Sequence, residues 1–203
     1  MRILVVGGAG TIGRAVTAAL GVRNEVITAG RRSGDERADI ADPASIRALY
    51  ARVGRVDAVV SCAGEGAYKP LAELTDDDFR LGLESKLMGQ VNLVRYGIAS
   101  VADRGSFTLT SGVLNRFPTP GAGVFATVNG ALDAFVRVAA LELPRGIRIN
   151  VVSPGWVSET LAALGRDPAE GLPAVKVAEA YVRSVESRRS GELLEPAGTR
   201  HAA

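Results

Sequence analysis

Short runs rich in isoleucine and valine alternate along this chain with longer stretches of helical period, and no other feature restricts the fold as tightly. The runs are Ile3–Val6, Glu25–Thr28, Ala58–Ser61, Ser106–Thr110, Ile147–Val152 and a weaker Glu192–Leu194. Being continuously apolar rather than alternating in and out, they predict strands buried on both faces, as in a parallel sheet. Between them, Thr11–Leu20, Pro43–Val53, Asp76–Val101, Val124–Leu143 and Val175–Arg188 carry helical spacing. Such alternation predicts an α/β, doubly wound parallel sheet with helices on both faces. At 203 residues, with no repeat and no Pro/Gly/Ser linker, residues 1–203 are expected to form a single domain. One crossover is too short. Only Ala29–Asp35 separates Thr28 from a run at Glu36–Ile40, where parallel neighbours ordinarily need a dozen or more residues. Glu36–Ile40 is therefore expected to be a stub of strand or a loop.

Composition removes several functions. Lys+Arg 24 against Asp+Glu 22 leaves +2, too little charge to imply nucleic acid or an anionic membrane as the main partner. The single cysteine, Cys62, excludes an internal disulfide and a thiolate-rich zinc site. A lone histidine, His201, argues against a Ser-His-Asp hydrolase or a multi-histidine metal centre. No metal is expected. No segment reads as long and apolar enough to cross a membrane, and Ile3–Val6 is too short for a secretory h-region, so a cytoplasmic location is expected. Glycine is the outlier, at 24 of 203 residues against ~7% in average chains. Tight turns, or a close approach of backbone to a ligand, would require it.

The first apolar run supplies the reason. Ile3-Leu4-Val5-Val6 leads into Gly7-Gly8-Ala9-Gly10-Thr11-Ile12-Gly13 and then a helix. Glycine at 7 lets the strand turn sharply, at 10 it lets backbone N–H groups approach a pyrophosphate, and at 13 it lets the helix pack on the sheet. The helix N-terminus then faces the anion. A strand before the turn, a helix after it and further βα units behind make this a Rossmann-like dinucleotide site rather than a chance glycine cluster. Which dinucleotide is read at the end of the second strand: a carboxylate there suits the ribose of NAD, and arginine suits the 2′-phosphate of NADP. Here Thr28-Ala29-Gly30 runs into Arg31-Arg32, and guanidinium matches phosphate in bidentate fashion. NADP is expected over NAD, with Asp35 and Glu36 the acids that could still serve an NAD ribose.

Five segments in order resemble the short-chain dehydrogenase/reductase family, and the likeness covers nearly the whole chain. The Gly7-x-x-Gly10-x-x-Gly13 turn resembles that family's cofactor turn, and Asp39-Ile40 its adenine-contacting pair. Ser61-Cys62-Ala63-Gly64 resembles the segment after the fourth strand, with Ala63 and Gly64 against the cofactor. Thr110-Ser111 resembles the strand end bearing the catalytic serine. Ile147–Gly155 resembles the sixth strand and its turn, Pro154-Gly155, beside the nicotinamide. The resemblance implies hydride transfer between a nicotinamide cofactor and a small carbonyl or alcohol. It also implies a two-fold interface through the long helix and the one after it, hence a homodimer or homotetramer. The apolar circumference of Val124–Leu143 points to the same surface.

The departures from that pattern bear on chemistry. The family's usual Asn–Ser–Tyr–Lys set reads here as Lys86–Ser111–Phe125–Asn129: asparagine and lysine have exchanged helices, and the phenol is gone. A helical wheel at 100° per residue places Phe79, Leu83, Lys86, Gln90 and Leu93 on one arc, and Phe125, Asn129, Leu132, Val136 and Ala139 on another. Lys86 and Asn129 thus face inward, where an unpaired polar group is costly. Either they meet at a shared site with Ser111, or Lys86 snorkels to solvent and Asn129 ties two helices together. Lys86 could donate the proton that Phe125 cannot, alone or through Ser111, with Asn129 orienting the ribose or a water; Tyr68 is a further candidate donor. The expected function is an NADP-dependent oxidoreductase of the short-chain type with a non-standard catalytic set. The alternatives are a non-catalytic NADP(H)-binding sensor or scaffold, for which Phe125 argues, and an isomerase or dehydratase with a tightly bound cofactor. Cys62 is expected to be inert, Trp156 either to line a substrate pocket or simply to pack, and residues 157–173 to form a short lid.

Overall fold

The computed structural model describes residues 1–200; His201 lies outside them. The chain runs β1 (Arg2–Val6), α1 (Thr11–Gly21), β2 (Glu25–Gly30), β3 (Glu36–Arg37), α2 (Pro43–Val53) and β4 (Val56–Ser61). It continues through α3 (Asp76–Leu81), a π-helical stretch (Gly82–Met88), α4 (Gly89–Gly97), β5 (Val101–Thr110) and α5 (Gly123–Glu142). Then follow β6 (Arg148–Val152), α6 (Ser158–Ala163), α7 (Ala174–Glu186) and β7 (Leu193–Leu194). Among the described residues the strands form one seven-stranded sheet in the order β3-β2-β1-β4-β5-β6-β7. Every pairing is parallel.

Period-2 side-chain direction splits the core in two. Along β1, Leu4 and Val6 enter the layer that holds Ile46 and Leu49 of α2, Leu93 of α4 and Leu132 of α5. Ile3 and Val5 enter the opposite layer, with Val16 and Leu20 of α1 and Val177 and Tyr181 of α7. β1 is therefore buried on both faces, as its unbroken apolar run predicts. Because the strand order reverses between β1 and β4, a crevice opens beyond their C-terminal ends. Helix starts follow their capping residues. The Asp42 side chain accepts from Ala44 N ahead of Pro43, and Thr75 with Asp78 forms a capping box.

Two expectations need correction, and the stub expected at Glu36–Ile40 is found. Asp76–Val101 is not one regular helix: it ends at Gly97, Val101 already belongs to β5, and the Gly82–Met88 stretch is π-wound. That winding (i→i+5 rather than i→i+4) shifts the phase of the wheel, which turns Leu83 outward, 39% exposed, while Gly82 and Ser85 turn in. The run at Glu36–Ile40 contributes a strand of only two residues, paired with Ala29 and Gly30. Finally, α5 is by length and composition apolar enough to cross a membrane, with a mean hydropathy of 1.5. In the fold it packs one side on the sheet through Leu132 and Val136, and it buries the polar Asn129 and Asp133.

Gln90 fastens the long helical segment to the sheet. Ser111 N bonds to Val152 O of β6, so the peptide groups of Thr110 point to the other side, where β4 has ended at Ser61. The fully buried Gln90 side chain takes β4's place. Its Nε2 donates to Thr110 O at 2.8 Å and to Lys86 O at 3.0 Å, and its Oε1 accepts from Thr110 N at 2.8 Å. Gln90→Leu would fill the same space and leave both Thr110 backbone groups unbonded. A loss of about 2–4 kcal/mol in urea denaturation is expected; a loss below ~0.5 kcal/mol would mean that the clamp is dispensable.

Candidate functional site

The glycine turn has the geometry its spacing predicts. Gly7 adopts φ +82°, and a Cβ there would press on the Cys62 backbone; a Cβ at Gly13 would overlap the Gly7 carbonyl oxygen. Gly10 is exposed, and a Cβ there would sit tightly against Gly7 O, at 3.3 Å. Gly8, which sequence reasoning passed over, packs against the Thr28 side chain. No side chain caps α1 at Gly10 and no acidic residue lies in its first turn. The leading N–H groups of α1 are thus left for an external acceptor, with the positive end of the helix dipole behind them.

Above this turn lies a groove of about 400 Å³. Gly7 and Gly10 form its floor, Arg31, Arg32, Asp39 and Ile40 one wall, and Cys62, Ala63, Gly64, Glu65 and Ser85 the other. Thr11 opens α1 but lines neither this groove nor the second cavity described below. Asp35 and Glu36 are both engaged elsewhere. The Asp35 carboxylate accepts from Thr28 N and Thr28 Oγ1, each at 2.8 Å, and these bonds hold it below its ordinary range. Glu36 is paired with Arg52 at 2.7 Å. Arg31 is bonded to Glu65, whereas Arg32 has no hydrogen bond or ion pair among the described residues. Cys62 is inert, because burial pushes its thiol up to about 12.

A second cavity, also about 400 Å³, adjoins the groove where Gly64 presses on the Lys86 side chain. It gathers Lys86, Ser111 and Asn129, with Ile12 of α1 and the Pro154-Gly155 turn at its side. The hydroxyl of Ser111 and the Asn129 Oδ1 are buried without a hydrogen-bond partner. Polar atoms left this way in a native interior mark a place where a ligand or water belongs. Asn129 therefore does not simply tie two helices together. Lys86 does not snorkel either. Its Nζ donates to Ser111 O at 3.1 Å and lies 5.8 Å from the centroid of Phe125. No carboxylate pairs with it among the described residues, and desolvation lowers its ammonium from 10.5 to about 8.

The ring of Phe125 stands in the cavity, packed on Gly66. Tyr68 also lines the cavity, but its hydroxyl is bonded to Thr119 Oγ1 at 2.9 Å and its ring meets Trp156 edge-on at 5.7 Å. That geometry makes it a wall at the mouth and not a proton donor beside Ser111. Trp156 lines the cavity as expected, with the Arg166 guanidinium 5.0 Å from its ring. Thr160 and Leu164, in and just beyond α6, line the cavity's far side. Sequence reasoning missed Glu65, Ser85, Gly66 and Leu114, none of which stands in a recognisable pattern. In the free chain the Lys86 amine should titrate near pH 8. Reductive ¹³C-methylation followed by NMR, with the resonance assigned by its loss in Lys86→Arg, checks this; a midpoint above pH 10 would contradict the desolvated site.

Comparison with known proteins places this arrangement. The family model described as Enoyl-(Acyl carrier protein) reductase matches residues 15–192. An uncharacterized oxidoreductase of Methylorubrum extorquens is 30% identical over 160 residues, covering 74% of this chain and 64% of its own. An uncharacterized NAD-dependent oxidoreductase of Mycobacterium tuberculosis is 33% identical over 133 residues, covering 62% of this chain and 48% of its own. The chain thus spans about half to two-thirds of the length of these curated relatives. The crystal structure of the protein lin1944 from Listeria innocua superposes with a TM-score of 0.92 at 45% identity, covering 96% of this chain and 98% of that one. With a parallel sheet in this strand order, a glycine turn of this geometry and a family match over most of its length, the chain belongs to the short-chain dehydrogenase/reductase family.

Proposed function

We propose that the chain is an NADP-dependent oxidoreductase that acts on a small carbonyl or alcohol with Lys86 and Ser111 at its reacting centre. The observation that carries this reading is the convergence of the Lys86 amine, the unpartnered Ser111 hydroxyl and the unpartnered Asn129 amide oxygen on one cavity beside the glycine-turn groove. The groove fits a dinucleotide: α1 begins with uncapped N–H groups, Gly10 lies exposed on the groove floor, and two arginines stand at the end of β2. Arg32 is the unpaired cation for a 2′-phosphate, while the acids that would suit an NAD ribose at this strand end, Asp35 and Glu36, are bonded elsewhere. A nicotinamide cofactor supplies hydride when bound. The protein's part is to orient a carbonyl and supply a proton. The Ser111 hydroxyl donates a hydrogen bond to the substrate carbonyl oxygen, and the Lys86 ammonium, anchored on the Ser111 main-chain carbonyl at 3.1 Å, delivers a proton to that substrate oxygen. Asn129 holds the ribose or an ordered water. The apolar wall of Phe125 keeps the ammonium weakly solvated and so near the acidity that proton transfer at neutral pH requires.

Phe125, standing where the family has its tyrosine, favours a second reading, a sensor that binds NADP(H) without turnover. A panel of small aldehydes and ketones with NADPH separates the two. Turnover that falls ~10²–10⁴-fold in Lys86→Met, with NADPH affinity retained, is the expected result. A donor that must be protonated works below its pKa, so carbonyl reduction should fall as pH rises through about 8, and alcohol oxidation should gain over the same range. Tight NADPH binding with no turnover on any substrate favours the sensor instead.

We also propose self-association through the outer face of α5, where Val138 (55%) and Leu141 (87%) are uncovered. Sedimentation should give a dimer or tetramer, and a monomer at micromolar concentration would rule this out.

A further inference from the structure

Glu65 follows β4 and Arg31 follows β2, the two strands that flank β1, so a contact between them crosses the groove above the glycine turn. They form an ion pair of 2.6 Å, with side chains 49% and 48% exposed. The backbone of Glu65 is fixed on its wall: its N–H donates to Ser85 Oγ at 3.1 Å, and Gly64 before it is pressed onto Lys86 at φ +141°. The groove therefore presents one neutralised guanidinium, one unpaired guanidinium in Arg32, the Asp39 carboxylate on the arginines' own wall and the Glu65 carboxylate on the facing one.

A phosphate entering this groove meets opposition that an unphosphorylated ribose does not. To be gripped by both arginines it must take Arg31 from Glu65, and the freed carboxylate then stands close to a like charge. A nucleotide with a bare 2′-hydroxyl leaves the pair intact. Resting on the reading that this groove holds the adenosine half of a dinucleotide, we propose that Glu65 is a specificity-determining residue. By competing for Arg31 it weakens the hold on 2′-phosphorylated nucleotides and narrows the preference for NADP(H) over NAD(H). The two arginines then have separate tasks: Arg32 attracts the phosphate, and Arg31 is shared between phosphate and Glu65.

Isothermal titration of NADPH and NADH into the wild-type chain, Glu65→Gln, Arg31→Met and the double variant tests this. Both positions are half exposed, so the substitutions leave the core untouched. Glu65→Gln should bind NADPH about two- to fivefold more tightly and change NADH by less than about twofold, the range of an exposed ion pair released for a new partner. In the Arg31→Met background the same change should gain less than about twofold, because the coupling runs through Arg31. An unaltered ratio of NADPH to NADH affinity in Glu65→Gln, or a full gain without Arg31, would overturn the proposal and leave the dinucleotide site standing. Absence of binding of either nucleotide to wild type and variants alike would overturn the dinucleotide reading, and this proposal with it.

Discussion

Burial of β1 on both faces is the constraint from which the rest of the molecule follows. A strand covered on either side by Ile46, Leu49 and Leu132, and by Val16, Val177 and Tyr181, has no lateral face left for polar chemistry. In a parallel sheet every such strand points the same way, so turns, helix N-termini and unpaired peptide groups collect at the C-terminal edge. The reversal of strand order between β1 and β4 holds two neighbouring crossovers apart at that edge. Arg31, Gly64 and Ser111 are distant in sequence, yet each follows the end of a strand, and that common position brings them together.

The same economy explains how a lysine can sit enclosed beside the end of β5. Lys86 lies in the π-wound stretch of the long helical segment, and Gln90 ties that stretch to the end of β5 by three hydrogen bonds. The clamp holds the lysine carbonyl, the strand end and Ser111 in one rigid unit. Enclosure by Phe125 and Gly64 then strips water from the amine and offers no carboxylate in exchange, so its proton is held less tightly than on a surface lysine. The apolar ring at position 125, 5.8 Å from the Lys86 amine, is part of that enclosure.

The groove illustrates the complementary point about charge. Four acids lie near the arginines that follow β2: Asp35 is taken by the Thr28 turn, Glu36 by Arg52 and Glu65 by Arg31, and Asp39 accepts from Ala41 N. A count of acids and bases would call the region balanced. The pairing pattern instead leaves Arg32 as the cation facing open space, beside the uncapped N-terminus of α1. Anion affinity at this edge arises from what the neighbours do with their partners and not from net charge.

Much of this was legible in the chain itself. Unbroken Ile/Val runs announced strands buried on both faces, glycine at 7, 10 and 13 announced a turn that no side chain could enter, and inward-facing Lys86 and Asn129 announced a polar site, because such patterns follow from local geometry and the cost of burying unbonded groups. The π-winding of Gly82–Met88, the outward turn of Leu83, the diversion of the Tyr68 hydroxyl to Thr119 and the bridge from Glu65 to Arg31 were not legible. Each depends on what a residue meets across the sheet's edge. Backbone periodicity carries one segment's preferences, while the partner of a polar group is chosen by whichever distant segment the fold brings within about 3 Å of it.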